Sequence, residues 1–378
     1  MKNVQLAIGF VSALLLANAG RAENIIVNWQ QQGLATGNGW LPKIASDGQW
    51  GMTSLIYQIG TADARFEYEN GNLDTSAGTL SWIGPYNIFS PTQPDNEVGH
   101  APSVAMVDCA NSECLSAGHA IANVIQVHQG GQDNGAALWY RTGVYNAGSA
   151  TTWAAAVQYD EGYNPTVALV PGGSSYATTT VVEVHQAGVD SSALWYHVGT
   201  LTYGESAVYV SCGPSYPTGF SGYAPTVSVS AGLVVLVAQG TAPEMWYSLG
   251  VVDTSTNQIS WGPADNYDTG YNPTVSVSFG GSFCSCDWLV AEAHQGGTGT
   301  GSLWYRIGIV NAGSGGSNPT TITWTPNAAT DYAPSGCYPS VGLLTNSGGY
   351  SYDVVESHSI ACGGPANIVS SWGNLQLK

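Results

Sequence analysis

Charge is scarce in this chain: Asp, Glu, Lys and Arg together make up 8% of its 378 residues, against about 25% in an average soluble protein. Basic residues are the scarcest, with 7 Lys and Arg against 25 Asp and Glu and a formal net charge of −18. So few cations cannot neutralise phosphates, which argues against nucleic acid and anionic membranes as partners. Long apolar runs are also missing after the first residues, where nothing nears the ~20 residues that span a bilayer, so no membrane insertion is expected. The charged heptads of coiled coils and the patterns of helical solenoids are absent too. Disorder is excluded by the opposite argument, since 44% hydrophobic and 11% aromatic residues supply ample surface to pack.

The chain opens like an export signal. Lys2 precedes an apolar run from Val4 to Ala17, followed by small residues suited to cleavage after Ala19 or, preferably, Ala22. Residues 1–22 are therefore expected to be a signal peptide, and residues 23–378 a single domain that is secreted or periplasmic. Loss of Lys2 and Arg21 would leave 5 basic residues against 25 acidic, a charge of −20.

What is abundant is glycine, with 49 residues, and aromatics, with 21 Tyr and 13 Trp, arranged in repeats. Gly-x-x-Pro occurs at Gly39 to Pro42, Gly99 to Pro102, Gly162 to Pro165, Gly222 to Pro225, Gly270 to Pro273 and Gly336 to Pro339. Successive spacings of 60, 63, 60, 48 and 66 residues are too irregular for a tight solenoid but natural for strands with loops of variable length. Each copy leads into a strand. A second run follows, such as Val182-Glu183-Val184-His185-Gln186, then Leu-Trp-Tyr-x-x-Gly at Leu138, Leu194 and Leu303, with Met245 and Leu55 opening variants. Ile-x-Trp closes the unit, at Leu80 to Trp82, Ile259 to Trp261 and Ile322 to Trp324. Four β-rich runs punctuated by Gly, Pro, Asn and Ser are strands.

Six such units describe an all-β, six-bladed β-propeller of four-stranded antiparallel blades. The sixth unit ends at Gly373 without its Ile-x-Trp strand, while Ile26 to Trp29 precedes the first Gly-x-x-Pro with no unit of its own. The two ends are therefore expected to share one blade, which protects strand edges. Unit 1 is the weak copy: only about ten residues separate Ile44 from Leu55, so its second strand is expected to be missing or reduced.

Stacked blades cover both sides of the strands, and in Val182 to His185 the residues Glu183 and His185 share one side. The His-Gln end of the second strand, the start of Leu-Trp-Tyr and the Gly-Tyr-x-Pro entry fall on one face of the disc. Aromatic planes beside amide, imidazole and carboxylate groups suit sugars, whose C–H faces stack on rings. The candidate contacts are Trp139, Arg141, Tyr163, His185, Trp195, Tyr223, Trp246, Tyr271, His294, Trp304 and Arg306, of which Tyr163, Tyr223 and Tyr271 precede a strand and are expected exposed in a turn. Structural roles compete with this reading: Glu183/His185, Glu292/His294 and Glu356/His358 also read as networks satisfying buried polar groups, and the Trp residues as packing.

The repeats, the aromatic face and the low charge together resemble the β-propeller lectins of bacteria and fungi, the fucose-binding type included. That resemblance implies inter-blade sites combining Arg, Glu and aromatics, for which Arg141 with Trp139 and Arg306 with Trp304 are the matches. His197, Ser248 and Gln58 stand at the Arg position elsewhere, which does not support fucose specificity. The expected function is a secreted, multivalent carbohydrate-binding protein whose partners are glycans or glycoconjugates. The alternatives are a glycoside hydrolase or lyase with a single cleft, and a protein-binding scaffold. Resemblance to sialidases would require three convergent Arg, yet after the leader only Arg65, Arg141 and Arg306 remain, the last two three blades apart. Asp160, Asp268, Glu183 and Glu292 could supply a glycosidase carboxylate pair. Their recurrence argues for a repeated role, and no catalytic residue is assigned.

Seven cysteines in an exported chain point to disulfides and one leftover thiol. Cys109 with Cys114, and Cys337 with Cys362, are the expected pairs. Cys284 and Cys286 are close enough to bond locally, leaving Cys212 free. A zinc site at Cys284/Cys286 lacks a second ligand pair, so neither metal nor cofactor is read from the sequence.

Overall fold

The computed structural model describes residues 24–47, 51–60, 65–88, 99–108, 121–130, 136–146, 149–170, 178–202, 209–241, 243–280, 283–284, 286–299, 301–313, 318–345 and 351–378. The expected signal peptide and the Cys109/Cys114 pair lie outside them. Among the described residues the regular structure is all strand. Among the described residues no helix is long and apolar enough to cross a membrane.

Six antiparallel blades follow one another. Blade 2 comprises Gly99–Asp108, Ile121–Gly130 and Ala137–Asn146, with an outer edge split into Thr152–Trp153 and Val157–Glu161. Blade 3 comprises Tyr163–Val170, Thr178–Gln186 and Ala193–Thr202, its outer edge split into Tyr209–Cys212 and Tyr216–Ser221. Blade 4 is Tyr223–Ser230, Leu233–Gln239, Glu244–Asp253 and Gln258–Thr269. Blades 5, 6 and 1 run into one another because two long strands each serve two blades. Thr323–Thr345 is the outer strand of blade 5 and the inner strand of blade 6, and Ile25–Ser46 is the outer strand of blade 6 and the inner strand of blade 1. The expected sharing of a blade by the two ends is present as strand pairing: Ile26 lies opposite Gln376 and Trp29 opposite Gly373, antiparallel.

Blade 1 corrects the sequence reading. Met52–Gln58 is a full second strand, with Leu55 opposite Ile44, and the third strand is Phe66–Asp74. Leu55-Ile56-Tyr57 imitates the third-strand pattern, and the short first hairpin disguised its place. Glu69, opposite Leu55, therefore holds the position of Arg141 and Arg306, whereas Gln58 aligns with the Gln of His-Gln.

Burial explains the composition. In Leu233–Gln239 the residues Val234 to Ala238 are wholly buried, because blades 3 and 5 cover the strand's two sides. Each such Val or Leu contributes about 1.5–3 kcal/mol. The inner strands are also bonded to one another across blades: Val167 N–H donates to Ser103 Oγ (3.2 Å), Val227 N–H to Thr166 Oγ1 (3.3 Å), Val277 N–H to Ser228 Oγ (3.0 Å), Leu343 N–H to Ser276 Oγ (3.0 Å) and Ile44 N–H to Ser340 Oγ (2.9 Å). All six inner strands surround a central cavity of about 140 Å³.

Gly-x-x-Pro is a bulge. Its third residue takes a left-handed conformation in every copy, with φ of 52° at Leu41, 47° at Ala101, 48° at Asn164, 46° at Ala224, 50° at Asn272 and 54° at Tyr338. For non-glycine residues this costs about 1–2 kcal/mol each, and a following proline favours extended backbone instead. The neighbouring blade offsets the strain. Gln186 Oε1 accepts from Ala224 N–H (3.0 Å), Gln239 Oε1 from Asn272 N–H (3.4 Å) and Gln295 Oε1 from Tyr338 N–H (3.4 Å).

Candidate functional site

The bulges ring one mouth of the central cavity, forming a pocket of about 110 Å³ lined by the prolines of five of them and by Lys43. Burial of that amine pushes its pKa down to about 8. Away from this mouth the junctions between blades are built from corresponding positions: the outer strand of one blade against the second and third strands of the next.

Between blades 4 and 5, Tyr267 O–H donates to Glu292 Oε1 (3.0 Å), and Glu292 holds His294 Nδ1 at 3.1 Å. Asp268, beside that tyrosine, pairs with Arg306 Nε at 2.8 Å, while Arg306 Nη1 donates to the Tyr267 carbonyl (2.8 Å). Tyr267 stacks on Trp324 at 5.2 Å, and the Arg306 guanidinium lies 5.8 Å from that ring centre. Gly308 pairs opposite Trp324, and a Cβ there would meet the indole at 3.0 Å, so glycine is required. Between blades 5 and 6 the frame repeats with Tyr332, Glu356 and His358, and the stacking indole is Trp29 of the first strand.

Between blades 2 and 3, Tyr159 O–H donates to Glu183 Oε1 (2.9 Å) and Glu183 Oε2 holds His185 Nδ1 (3.0 Å). Two positions differ. His197 replaces arginine, with Nε2 2.6 Å from Asp160 Oδ2 and Nδ1 2.8 Å from the Gly213 carbonyl, and Cys212 replaces the tryptophan opposite Gly199. Between blades 3 and 4 the frame turns apolar, with Phe220, Leu236 and Ala238 in place of Asp, Glu and His. Blade 1 puts Tyr57 at the histidine position, its hydroxyl bonded to Glu69 (3.1 Å), and blade 2 has Gln126, His128 and Arg141.

Burial alone would lower the pKa of His294, yet the Glu292 carboxylate outweighs it and the value is raised. His358 beside Glu356 and His185 beside Glu183 follow the same rule. His128, buried near Arg141 with a neutral glutamine for partner, is pushed down to about 3. Tyr159, Tyr267 and Tyr332 are raised well above the phenol range by burial and their glutamates, so each stays a donor.

The structure thus separates the sequence candidates into two groups. Arg141, His185, His294 and Arg306 are buried between blades. Trp139, Trp195, Trp246 and Trp304 are half-buried, each directly across from the histidine position of the second strand. Tyr163, Tyr223 and Tyr271 were expected in an exposed turn. They are instead half-buried first residues of inner strands, opposite Gln186, Gln239 and Gln295, because the bulge starts the ladder one residue after the glycine. The donor tyrosines were missed, although Tyr159-Asp160-Glu161-Gly162 and Tyr267-Asp268-Thr269-Gly270 share a pattern readable in the sequence. Cys337 and Cys362 are bonded as expected, Cys284 and Cys286 also form a disulfide, and Cys212 is free and exposed.

No known protein family and no curated protein matches the chain. Solved structures do share its fold. One is the fungal lectin of Aleuria aurantia, a six-bladed β-propeller with a described mode of fucose recognition, at 12% identity over 89% of this chain and 95% of that one, TM-score 0.51. A variant of the same lectin in complex with alpha-methyl-L-fucoside aligns at 12% identity over 90% and 97%, TM-score 0.51. NanB sialidase from Streptococcus pneumoniae aligns at 10% identity over 93% of this chain and 71% of that one, TM-score 0.52. At these identities the likeness establishes the fold, the six-bladed propeller expected from the repeats.

Proposed function

We propose that this protein binds carbohydrate at several similar clefts between neighbouring blades. The observation that carries this reading is the repeated, half-buried tryptophan. Trp139, Trp246 and Trp304 lie against Gly130, Gly240 and Gly296, where a Cβ would meet the indole nitrogen at 2.6, 3.0 and 2.9 Å, and Trp195 holds the same place in blade 3. An indole plane kept partly open beside polar groups is suited to the C–H face of a sugar ring. Asp160 and Asp268, with 29% and 20% of their side chains exposed, are available as acceptors for hydroxyls. The buried Arg and His residues support these carboxylates from beneath, and Tyr163, Tyr223 and Tyr271 flank the clefts. Each site would be shallow, and repetition around the ring would give avidity for a multivalent glycan surface. The two disulfides among the described residues support an exported location.

A glycan array followed by calorimetry tests this. Glycan binding without release of reducing sugar is expected, and Trp304→Ala or Tyr271→Ala should each lower the number of occupied sites while the protein stays folded. Absence of binding across the array, or release of product, would overturn the reading.

A further inference from the structure

Asp160, His185 and His197 meet at the junction of blades 2 and 3, and their ligating atoms all lie within 4.8 Å of one another. The tautomers follow from the partners. His197 Nδ1 faces a carbonyl, that of Gly213, which only accepts, so Nδ1 carries hydrogen, and Nε2, against the Asp160 carboxylate, holds the proton that a metal ion would displace. His185 Nδ1 is held by the Glu183 carboxylate, itself fixed by the Tyr159 hydroxyl, so its Nε2 is likewise turned inward. Asp160 Oδ2 stands between the two nitrogens, 2.6 Å from His197 Nε2 and 3.8 Å from His185 Nε2. A carboxylate set between two imidazole nitrogens calls for positive charge, which a proton or a metal ion can supply.

The equivalent junction of blades 4 and 5 shows what that charge is. There the guanidinium of Arg306 occupies the His197 position and pairs with Asp268, the counterpart of Asp160. In blade 3 the cation of the repeat has been replaced by a ligand, and its indole platform by the smaller Cys212. We infer that Asp160, His185 and His197 bind a divalent metal ion of the zinc type, with the proton otherwise shared between His197 and Asp160 released on binding.

Two imidazoles and one carboxylate select Zn²⁺, Co²⁺ or Ni²⁺ over the oxygen-seeking Ca²⁺ and Mg²⁺. Ligand atoms around tetrahedral zinc stand about 3.3 Å apart, so the 2.6 Å pair opens and the 3.8 Å pair closes by less than about 1 Å. Both histidines already have the outer partners that orient metal-bound imidazoles. Three protein ligands leave a fourth position, which partly exposed Asp160 places toward the cleft, where water or a ligand oxygen can enter. The site shares Asp160 with the proposed carbohydrate cleft, but its metal affinity is measured without any glycan.

The test uses untagged full-length protein, stripped with chelator and titrated at neutral pH with Zn²⁺ by calorimetry and with Co²⁺ by visible absorption. One equivalent should bind, with proton release and a tetrahedral Co²⁺ spectrum. His197→Arg, which copies the arrangement of Arg306, should melt no lower than the metal-free parent and lose at least about 100-fold in affinity, more than the 10- to 100-fold expected for losing an outer partner. Asp160→Asn, nearly isosteric, is the second variant and should lose at least about 10-fold. Cys212→Ser should bind as the parent does, since the thiol is no ligand. Lack of saturable binding, binding that survives both His197→Arg and Asp160→Asn, or binding abolished by Cys212→Ser would each overturn the proposal.

Discussion

The junction of blades 4 and 5 and that of blades 2 and 3 are built on one frame and differ at two positions. Both run from a tyrosine hydroxyl to a buried glutamate to a histidine Nδ1, with an aspartate beside the tyrosine. One completes the frame with Arg306 over Trp324 and the other with His197 and Cys212. The difference separates what the two junctions share from what each varies. The Tyr-Glu-His line joins blades, and the aspartate's partner sets the chemistry of the cleft.

The largest effect should come from cutting that line. Glu292→Ala strands His294 and the Tyr267 hydroxyl in a dry interior, and breaking such a buried set costs about 3–5 kcal/mol. Urea unfolding should show a comparable loss for Glu183→Ala. A loss below ~1 kcal/mol in both would mean that the line is not structural.

A smaller effect separates blade 2 from the others. His128 has Gln126 where His294 has Glu292, and its pKa falls to about 3 instead of rising. The signs of the pH dependence are therefore opposite. His128 contributes full stability above its unfolded pKa of about 6.5 and loses it as pH falls toward 3, whereas His294 and His358 contribute below 6.5 and lose it as pH rises through their elevated folded values. Gln126→Glu should raise the His128 pKa and remove much of the acid sensitivity, a few kcal/mol by linkage. An unchanged acid limb in thermal melts at pH 4 to 7 would show that His128 is not its source.

The smallest effect concerns the bulge. Ala224→Gly relieves a left-handed φ of 46° at the cost of greater freedom in the unfolded chain. The first term, about 1–2 kcal/mol, exceeds the second, about 0.5–1 kcal/mol, so a slightly higher melting temperature is expected. Destabilisation would mean that the freedom gained by the unfolded chain outweighs the strain relieved at residue 224.

The repeats made the propeller legible because Gly-x-x-Pro survives in all six units and the strand patterns in most of them. Blade 1 was misread because Leu55-Ile56-Tyr57 mimics the next strand, and only pairing with Ile44 corrects it. The alternation of Glu183 and His185 placed them on one side of a strand, but their partners Tyr159 and Asp160 come from another blade. That contact depends on how blades stack, which strand periodicity does not encode. The left-handed residues were hidden by the prolines after them, which ordinarily signal extended backbone.

The most direct measurement is a pH titration of the histidine ring nitrogens by NMR, repeated with one equivalent of Zn²⁺. The account predicts that His128 stays neutral into acid, that His294 and His358 remain protonated above the ordinary histidine pKa, and that zinc moves the Nε2 signals of His185 and His197 alone. Histidines that titrate together near 6.5, with no selective response to zinc, would contradict a shared frame that is charged differently at each junction.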